Sequence, residues 1–203
     1  MTHNHLSHDS PQRWLRLLLP PRRERIIRPA GSTRWSGLPD LGPAPELFGV
    51  HPWLNTAGGE PLTVSRLHGR VVLLEFWTFA CGNCQRTLPF LRNMHVRYRP
   101  GLVVIGVHTP EFPFERPARN VERAARARAL TFPIGLDNDY AAWNAYANQY
   151  WPSQYLIDGE GHIRYSHVGE YAYGRTERAI RALLDEASHG SQPASGVRRQ
   201  ARG

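Results

Sequence analysis

The chain contains no lysine: all 25 of its basic residues are arginine. Any site that would otherwise draw on an ammonium must use a guanidinium, which stays charged and cannot accept a proton. Cysteine is almost as scarce, with two residues in 203, so a framework of several disulfides is excluded. No apolar run approaches the eighteen or so residues that a membrane-spanning helix needs. The best N-terminal candidate, Trp14-Leu15-Arg16-Leu17-Leu18-Leu19, is interrupted by Arg16 and stopped by Pro20-Pro21. It falls short of the roughly 7–15 uninterrupted apolar residues of a secretory signal. The lack of an export signal predicts a cytoplasmic location.

What is present in excess is positive charge, a formal +8, but it gathers at the two ends. Residues 1–36 carry seven arginines against Asp9 and Glu24, and residues 188–203 carry Arg198, Arg199 and Arg202. Residues 37–186 balance 15 arginines against 15 acidic residues. A nucleic-acid-binding domain concentrates its basic charge on a folded face, so no nucleic-acid partner is expected. Residues 1–36, rich in His, Pro and Arg with no sustained period, read as a disordered basic N-terminal tail, and residues 188–203 as a disordered C-terminal one. One domain is expected between them, over residues 37–187.

Within that domain the elements alternate. Val71–Trp77 and Leu102–His108 are almost wholly apolar runs and read as strands, the second central and parallel. Cys81 to Tyr98 reads as a helix, with Leu88, Leu91 and His95 at three- and four-residue steps and Pro100-Gly101 ending it. Pro117 to Leu130 is predicted to be a helix opened by its proline, and Thr131–Leu136 a short strand. Asp139 to Gln149 is predicted to be a helix capped by Asn138 or Asp139. Gln154–Asp158 and His162–Val168 flank Gly159-Glu160-Gly161 as a hairpin. Arg175 to Ala187 is the last amphipathic helix. Gly and Pro residues from Gly37 to Pro45 mark a loop leading into the domain. The expected fold is α/β, with a central mixed sheet covered on both faces by helices.

The two cysteines form Cys81-Gly82-Asn83-Cys84, directly after the Val71–Trp77 strand. A Cys-x-x-Cys at a strand-to-helix junction is a redox signature. The thiolate is the attacking species, and a helix N-terminus favours negative charge. These residue types in this order make Cys81 the expected nucleophile and Cys84, one turn along, the thiol that resolves a mixed disulfide. A zinc half-site completed by His95 and His108, or an inert pair of core thiols, would use the same two residues.

Glu75 interrupts the apolar strand, so its carboxylate is expected to be buried, and burial raises the pKa of an acid. A proton acceptor of that kind close to Cys84 would serve as general base when Cys84 attacks. A glutamate facing solvent from a strand edge is the alternative.

The string Glu75-Phe76-Trp77-x-x-x-Cys81-x-x-Cys84, with Pro89 eight residues past Cys81, resembles the active-site strand and proline-bearing helix of the thioredoxin superfamily. Gly106-Val107-His108-Thr109-Pro110-Glu111-Phe112, Leu136-Asp137-Asn138-Asp139-Tyr140-Ala141-Ala142-Trp143-Asn144 and Tyr150-Trp151-Pro152-x-x-Tyr155-Leu156-Ile157-Asp158 are similar to the thioredoxin-like domain of DipZ-type and TlpA-like redoxins. The resemblance spans about residues 44–184. It implies a thioredoxin fold with an extended N-terminal addition, and a thiol-disulfide oxidoreductase that needs no metal or organic cofactor beyond its own Cys81–Cys84 disulfide. The partners it implies are disulfide-bearing or dithiol proteins and an upstream thiol electron donor or acceptor. Pro152 is implied to be the cis-proline beside the cysteines, with the Trp151 backbone pairing to an extended substrate segment. Trp77, Phe79 and Trp151 are implied to form an apolar rim for substrate, although Trp77 and Trp151 suit core packing equally well.

The sequence departs from ordinary thioredoxin at Asn83, where a proline is usual, and at Ala80, where an aromatic is usual. Relatives of this type work outside the cytoplasmic membrane, which conflicts with the location expected from the N-terminus. A peroxiredoxin-like thiol peroxidase would share the fold and would need Thr78 and an arginine such as Arg86 or Arg116 beside Cys81. A non-enzymatic binding module using the Trp151-Pro152 groove or the basic ends is the third possibility.

Overall fold

The computed structural model describes residues 37–190. The expectations for tails over 1–36 and 191–203 lie outside the described residues. In chain order the elements are β1 (Trp53–Leu54), β2 (Val71–Trp77), α1 (Gly82–Arg97), β3 (Leu102–His108), α2 (Ala118–Ala127), β4 (Ile134–Leu136), α3 (Ala141–Ala145), β5 (Ser153–Ile157), β6 (Ile163–Val168) and α4 (Tyr173–Gly190). They build one six-stranded sheet in the order β1-β4-β3-β2-β5-β6. Strands β2, β3 and β4 are parallel, and β5, β6 and β1 run antiparallel to their neighbours. The mixed sheet is the one expected.

Both central strands are buried along their whole length, because helices or chain cover each face. Alternation along β2 divides the core in two. Val71, Leu73 and Trp77 face a cluster with Leu88, Leu91 and Met94 of α1, Val121 of α2 and Ile180 and Leu183 of α4. Val72, Leu74 and Phe76 face Leu47, Val50, Trp53, Val64, Trp143 and Tyr146. Glu75 has the parity of the first set, so its carboxylate points under α1. At the end of β2 the sheet is closed by Gly106, where a Cβ would come within 2.7 Å of Trp77 Nε1.

Three sequence expectations need correction. The helix expected over 139–149 is five residues long and is capped by neither Asn138 nor Asp139. Tyr140 adopts a left-handed backbone (φ 58°), and the Asp137 carboxylate accepts the Ala142 and Trp143 amides at 3.1 and 2.9 Å. Helix α4 starts two residues before Arg175 and runs to Gly190, three residues into the expected tail. The Gly- and Pro-rich lead-in also does more than connect. Leu41 N donates to Ile163 O, Ile163 N to Gly42 O and Ala44 N to Gly161 O, all within 2.9 Å. The buried Arg164 guanidinium holds this segment through the carbonyls of Leu38 and Pro39, so the β6 edge is covered rather than open.

Candidate active site

The parallel strands β2 and β3 end together, and the chain leaves β2 through Thr78-Phe79-Ala80 to reach Cys81. Cys81 is the N-cap of α1: its sulfur accepts the Cys84 backbone N–H at 3.2 Å. Both cysteines are free thiols, Cys81 partly exposed and Cys84 fully buried. The sulfur that a partner could reach is therefore that of Cys81. Burial, and then the hydrogen bond with Cys81, push the Cys84 thiol well above its ordinary range, because a thiolate there would be poorly solvated.

Glu75 is wholly buried beside this helix start, not on a solvent-facing edge. Thr87 Oγ1, on the next turn of α1, lies 2.6 Å from Glu75 Oε1 and 2.8 Å from the Cys84 carbonyl oxygen. Gln154 Nε2 donates to Glu75 Oε2 at 2.7 Å. Burial raises the Glu75 pKa to about 7, against the pull of the two hydrogen bonds. A carboxyl that titrates near neutrality, electrostatically linked to a buried thiol, can accept that thiol's proton.

A second buried polar group, which the sequence does not reveal, fixes the approach to Cys81. Glu115 ends a short 3-10 turn (Pro113–Glu115) after β3 and is fully buried. Its Oε1 accepts the Thr78 hydroxyl and, at 3.1 Å, the Ala80 N–H; its Oε2 accepts the Glu111 and Phe112 amides at 2.7 and 2.9 Å. His108, at the end of β3, lies with Nε2 3.4 Å from the Phe79 N–H, which donates to it. Its ring is stacked under Phe79 and edge-on to Trp77. Burial lowers the His108 pKa to about 4, opposing the nearby Glu115 charge. The only sequence clue to Glu115 was negative: a glutamate in an aromatic segment, Phe112-Pro113-Phe114-Glu115, whose partners lie far away in the chain.

Of the three aromatics expected at a substrate rim, one takes the core position that the sequence offered as its alternative. Trp77 is fully buried against Cys84 and Leu88 and cannot meet a substrate; as the last residue of a central strand it belongs to the core. Phe79 and Trp151 are partly exposed. Trp151 donates Nε1–H to Thr109 O at 3.0 Å and lies against Trp143, with ring centroids 4.1 Å apart. The Trp151–Pro152 peptide is cis. The β2–β5 ladder ends at Phe76 opposite Ser153, which puts Pro152 at the end of the sheet where the Cys81 loop departs. Pro152 is itself buried, so a partner would meet the Trp151 ring and backbone rather than the pyrrolidine.

The histidines proposed as zinc ligands do not converge on the cysteines: His95 lies edge-on to Phe132, with ring centroids 6.0 Å apart, and His108 is packed between Trp77 and Phe79. The residues named for a peroxidase are engaged elsewhere, although Arg86 stays within electrostatic reach of Cys81. The Thr78 hydroxyl is turned to Glu115, Arg86 is held by Glu170 and Asn83, and Arg116 pairs with Asp139.

The profile of the AhpC/TSA family matches residues 43–166. Protein DipZ of Mycobacterium tuberculosis is 45% identical over 162 residues, 78% of this chain and 23% of DipZ. The chain thus spans about a quarter of that relative's length. The thiol-disulfide oxidoreductase YkuV of Bacillus subtilis is 28% identical over 144 residues, 71% of this chain and 95% of YkuV. Among solved structures, that of a thioredoxin-like protein in the oxidized form superposes with a TM-score of 0.64 at 29% identity, covering 71% of this chain and 96% of the other.

Proposed function

The chain belongs to the AhpC/TSA family of thioredoxin-like proteins, and on that premise we propose that it is a thiol-disulfide oxidoreductase working through Cys81 and Cys84. The observation that carries this reading is the asymmetry of the pair: one sulfur is reachable and the other is buried one helical turn behind it. The Cys81 thiolate attacks a partner disulfide, forms a mixed disulfide and releases the partner's first thiolate. Cys84 then loses its proton to Glu75 and attacks the Cys81 sulfur. That step closes the Cys81–Cys84 disulfide and releases the partner's second thiolate, so two electrons pass to the partner. In the reverse direction the same steps oxidise a dithiol.

The reading needs no metal or organic cofactor, since the dithiol itself carries the electrons. Its substrates are protein disulfides or dithiols that lie across Phe79 and Trp151, with a second thiol protein resetting the pair. The name of YkuV, which is similar over nearly its whole length, supports the same chemistry.

The test is to trap the intermediate. Cys84→Ser should accumulate a mixed disulfide at Cys81 with a disulfide-bearing substrate, one per chain. Cys81→Ser should trap none. Trapping through Cys84 in the absence of Cys81 would overturn the assignment of roles.

A further inference from the structure

Glu75 and Gln154 are direct register partners in the β2–β5 ladder, with both side chains on the face covered by α1 and α4. Behind Gln154, Thr176 Oγ1 of α4 lies 3.3 Å from the amide oxygen and donates to it. The amide is therefore held at both ends, with its N–H toward Glu75 Oε2. On the other side Thr87 offers a single hydroxyl proton to two acceptors, Glu75 Oε1 and the Cys84 carbonyl. Hydroxyls can donate and accept; an amide nitrogen only donates.

These facts distinguish the two oxygens of Glu75. A proton on Oε2 would point at the Gln154 N–H, and that hydrogen bond would be lost. A proton on Oε1 loses nothing: the new O–H donates to Thr87 Oγ1, and Thr87 turns its own proton to the Cys84 carbonyl. Resting on the disulfide-exchange reading above, the geometry points to Gln154 as a positioning residue for the resolving step, keeping Oε2 an acceptor in both states and making Oε1, on the Thr87 side, the oxygen that takes up the Cys84 proton. By donating to the carboxylate, Gln154 also keeps Glu75 a competent base at neutral pH, where burial alone would leave it protonated.

Among the described residues, the titratable groups that bear on Glu75 are few. Cys84 and Cys81 lie at the start of α1, and the Tyr165 hydroxyl of β6 lies 3.4 Å beyond Thr176. From β3, Gly106 is the register partner of Glu75, and His108, two residues on, is neutral above about pH 4. Neither the buried Cys84 thiol, held well above its ordinary range, nor His108 changes charge between pH 5 and 9 in a way that would mimic Glu75.

The aromatic disulfide DTNB separates the two steps, because attack by Cys81 releases one thionitrobenzoate and attack by Cys84 releases the second. The pH profile of the second release should have its midpoint near 7 in the native protein. In Gln154→Met, which keeps the volume and removes the donor, that midpoint should rise by about one pH unit or more, while the profile of the first release stays in place. Thr176→Val, which leaves Gln154 in its strand, should move it the same way by a smaller amount. Titration of the Glu75 carboxyl carbon by NMR in the reduced protein should show the same displacements without any reaction. A second-release midpoint and a carboxyl titration both unmoved in the two variants would overturn the role of Gln154 alone. A native protein that releases no second thionitrobenzoate would overturn the exchange reading with it.

Discussion

The Thr78 hydroxyl donates to the Glu115 carboxylate across 37 residues of chain, joining the loop that delivers Cys81 to the loop that leaves β3. The same carboxylate takes three backbone N–H groups, so four donors depend on it. Removing one partner of a buried hydrogen bond leaves the other unsatisfied, at roughly 1–3 kcal/mol for each group that water cannot reach. Glu115→Ala is therefore expected to lower the free energy of unfolding by about 3 kcal/mol or more, read from urea denaturation. Glu115→Gln should not restore it, because the amide must turn an N–H toward one set of donors. A loss below about 1 kcal/mol in both variants would mean that water replaces the carboxylate at no cost.

Glu75 carries a cost in stability that depends on pH. Its folded pKa of about 7 lies above the ordinary 4.5, so between these values the folded state binds more protons than the unfolded one. Stability then falls as pH rises from about 4.5 to 7, by about 3 kcal/mol for this group. His108 runs the other way: with a folded pKa of about 4 against 6.5, its contribution is present above 6.5 and is lost as pH falls toward 4. In the native protein the two nearly cancel between pH 4.5 and 6.5, and Glu75 alone acts above that. Glu75→Gln should be more stable than the native protein at pH 8 and close to it at pH 4.5. Its own stability should rise with pH from 4 to 6.5, which exposes the His108 contribution. Equal pH dependence in the two proteins would show that Glu75 has the same pKa in the folded and unfolded states.

The redox poise follows from how the two thiols are housed. A pair becomes a strong oxidant when its reduced form is specially stabilised. Here the interior gives Cys84 no such stabilisation as a thiolate, since burial drives it toward the protonated form. The Cys81–Cys84 couple is expected to lie nearer the roughly −270 mV of thioredoxin than the roughly −120 mV of the oxidant DsbA. Equilibration in glutathione buffers with quantified free thiols measures it. A value on the oxidising side of about −180 mV would contradict the potential expected from the burial of Cys84.

How far the sequence could be read depended on whether the deciding interaction was local. Val71–Trp77 and Leu102–His108 were predicted residue for residue, because a strand buried on both faces must be apolar throughout. The burial of Glu75 was legible for the related reason that it breaks an otherwise apolar strand. The α3 boundaries were not, since they depend on the left-handed Tyr140 and on Asp137, which competes with Asn138 and Asp139 as cap. Gln154 and Glu115 were invisible because their partners are set by strand register and loop docking, 79 and 37 residues away. Rim and core stayed open for Trp77 because an aromatic near a cysteine carries no sign of which way it faces; the two-residue alternation of β2 puts it in the core, once its neighbours are known.

The burial of Trp77 has a measurable consequence, since Trp77 and Phe79 stand two residues apart and should fail differently. Trp77 is fully buried between Cys84, Gly106 and His108, and truncating a buried tryptophan costs roughly 3–5 kcal/mol. Trp77→Ala should thus do most of its damage through stability, with a lowered denaturation midpoint and slowed exchange toward every substrate. Phe79 is partly exposed, lying on His108 and tilted against Phe114, with ring centroids 5.6 and 6.0 Å away. A ring in that place adds contact area only when a chain is laid across Cys81, and a small disulfide makes no use of it. Phe79→Ala is expected to leave the reaction with DTNB within about twofold and to lower kcat/KM toward a protein disulfide by about tenfold, the size of a modest interface anchor. Equal losses toward both substrates would place Phe79 in the scaffold of the Cys81 loop, and the substrate surface would then have to be sought at Trp151 alone.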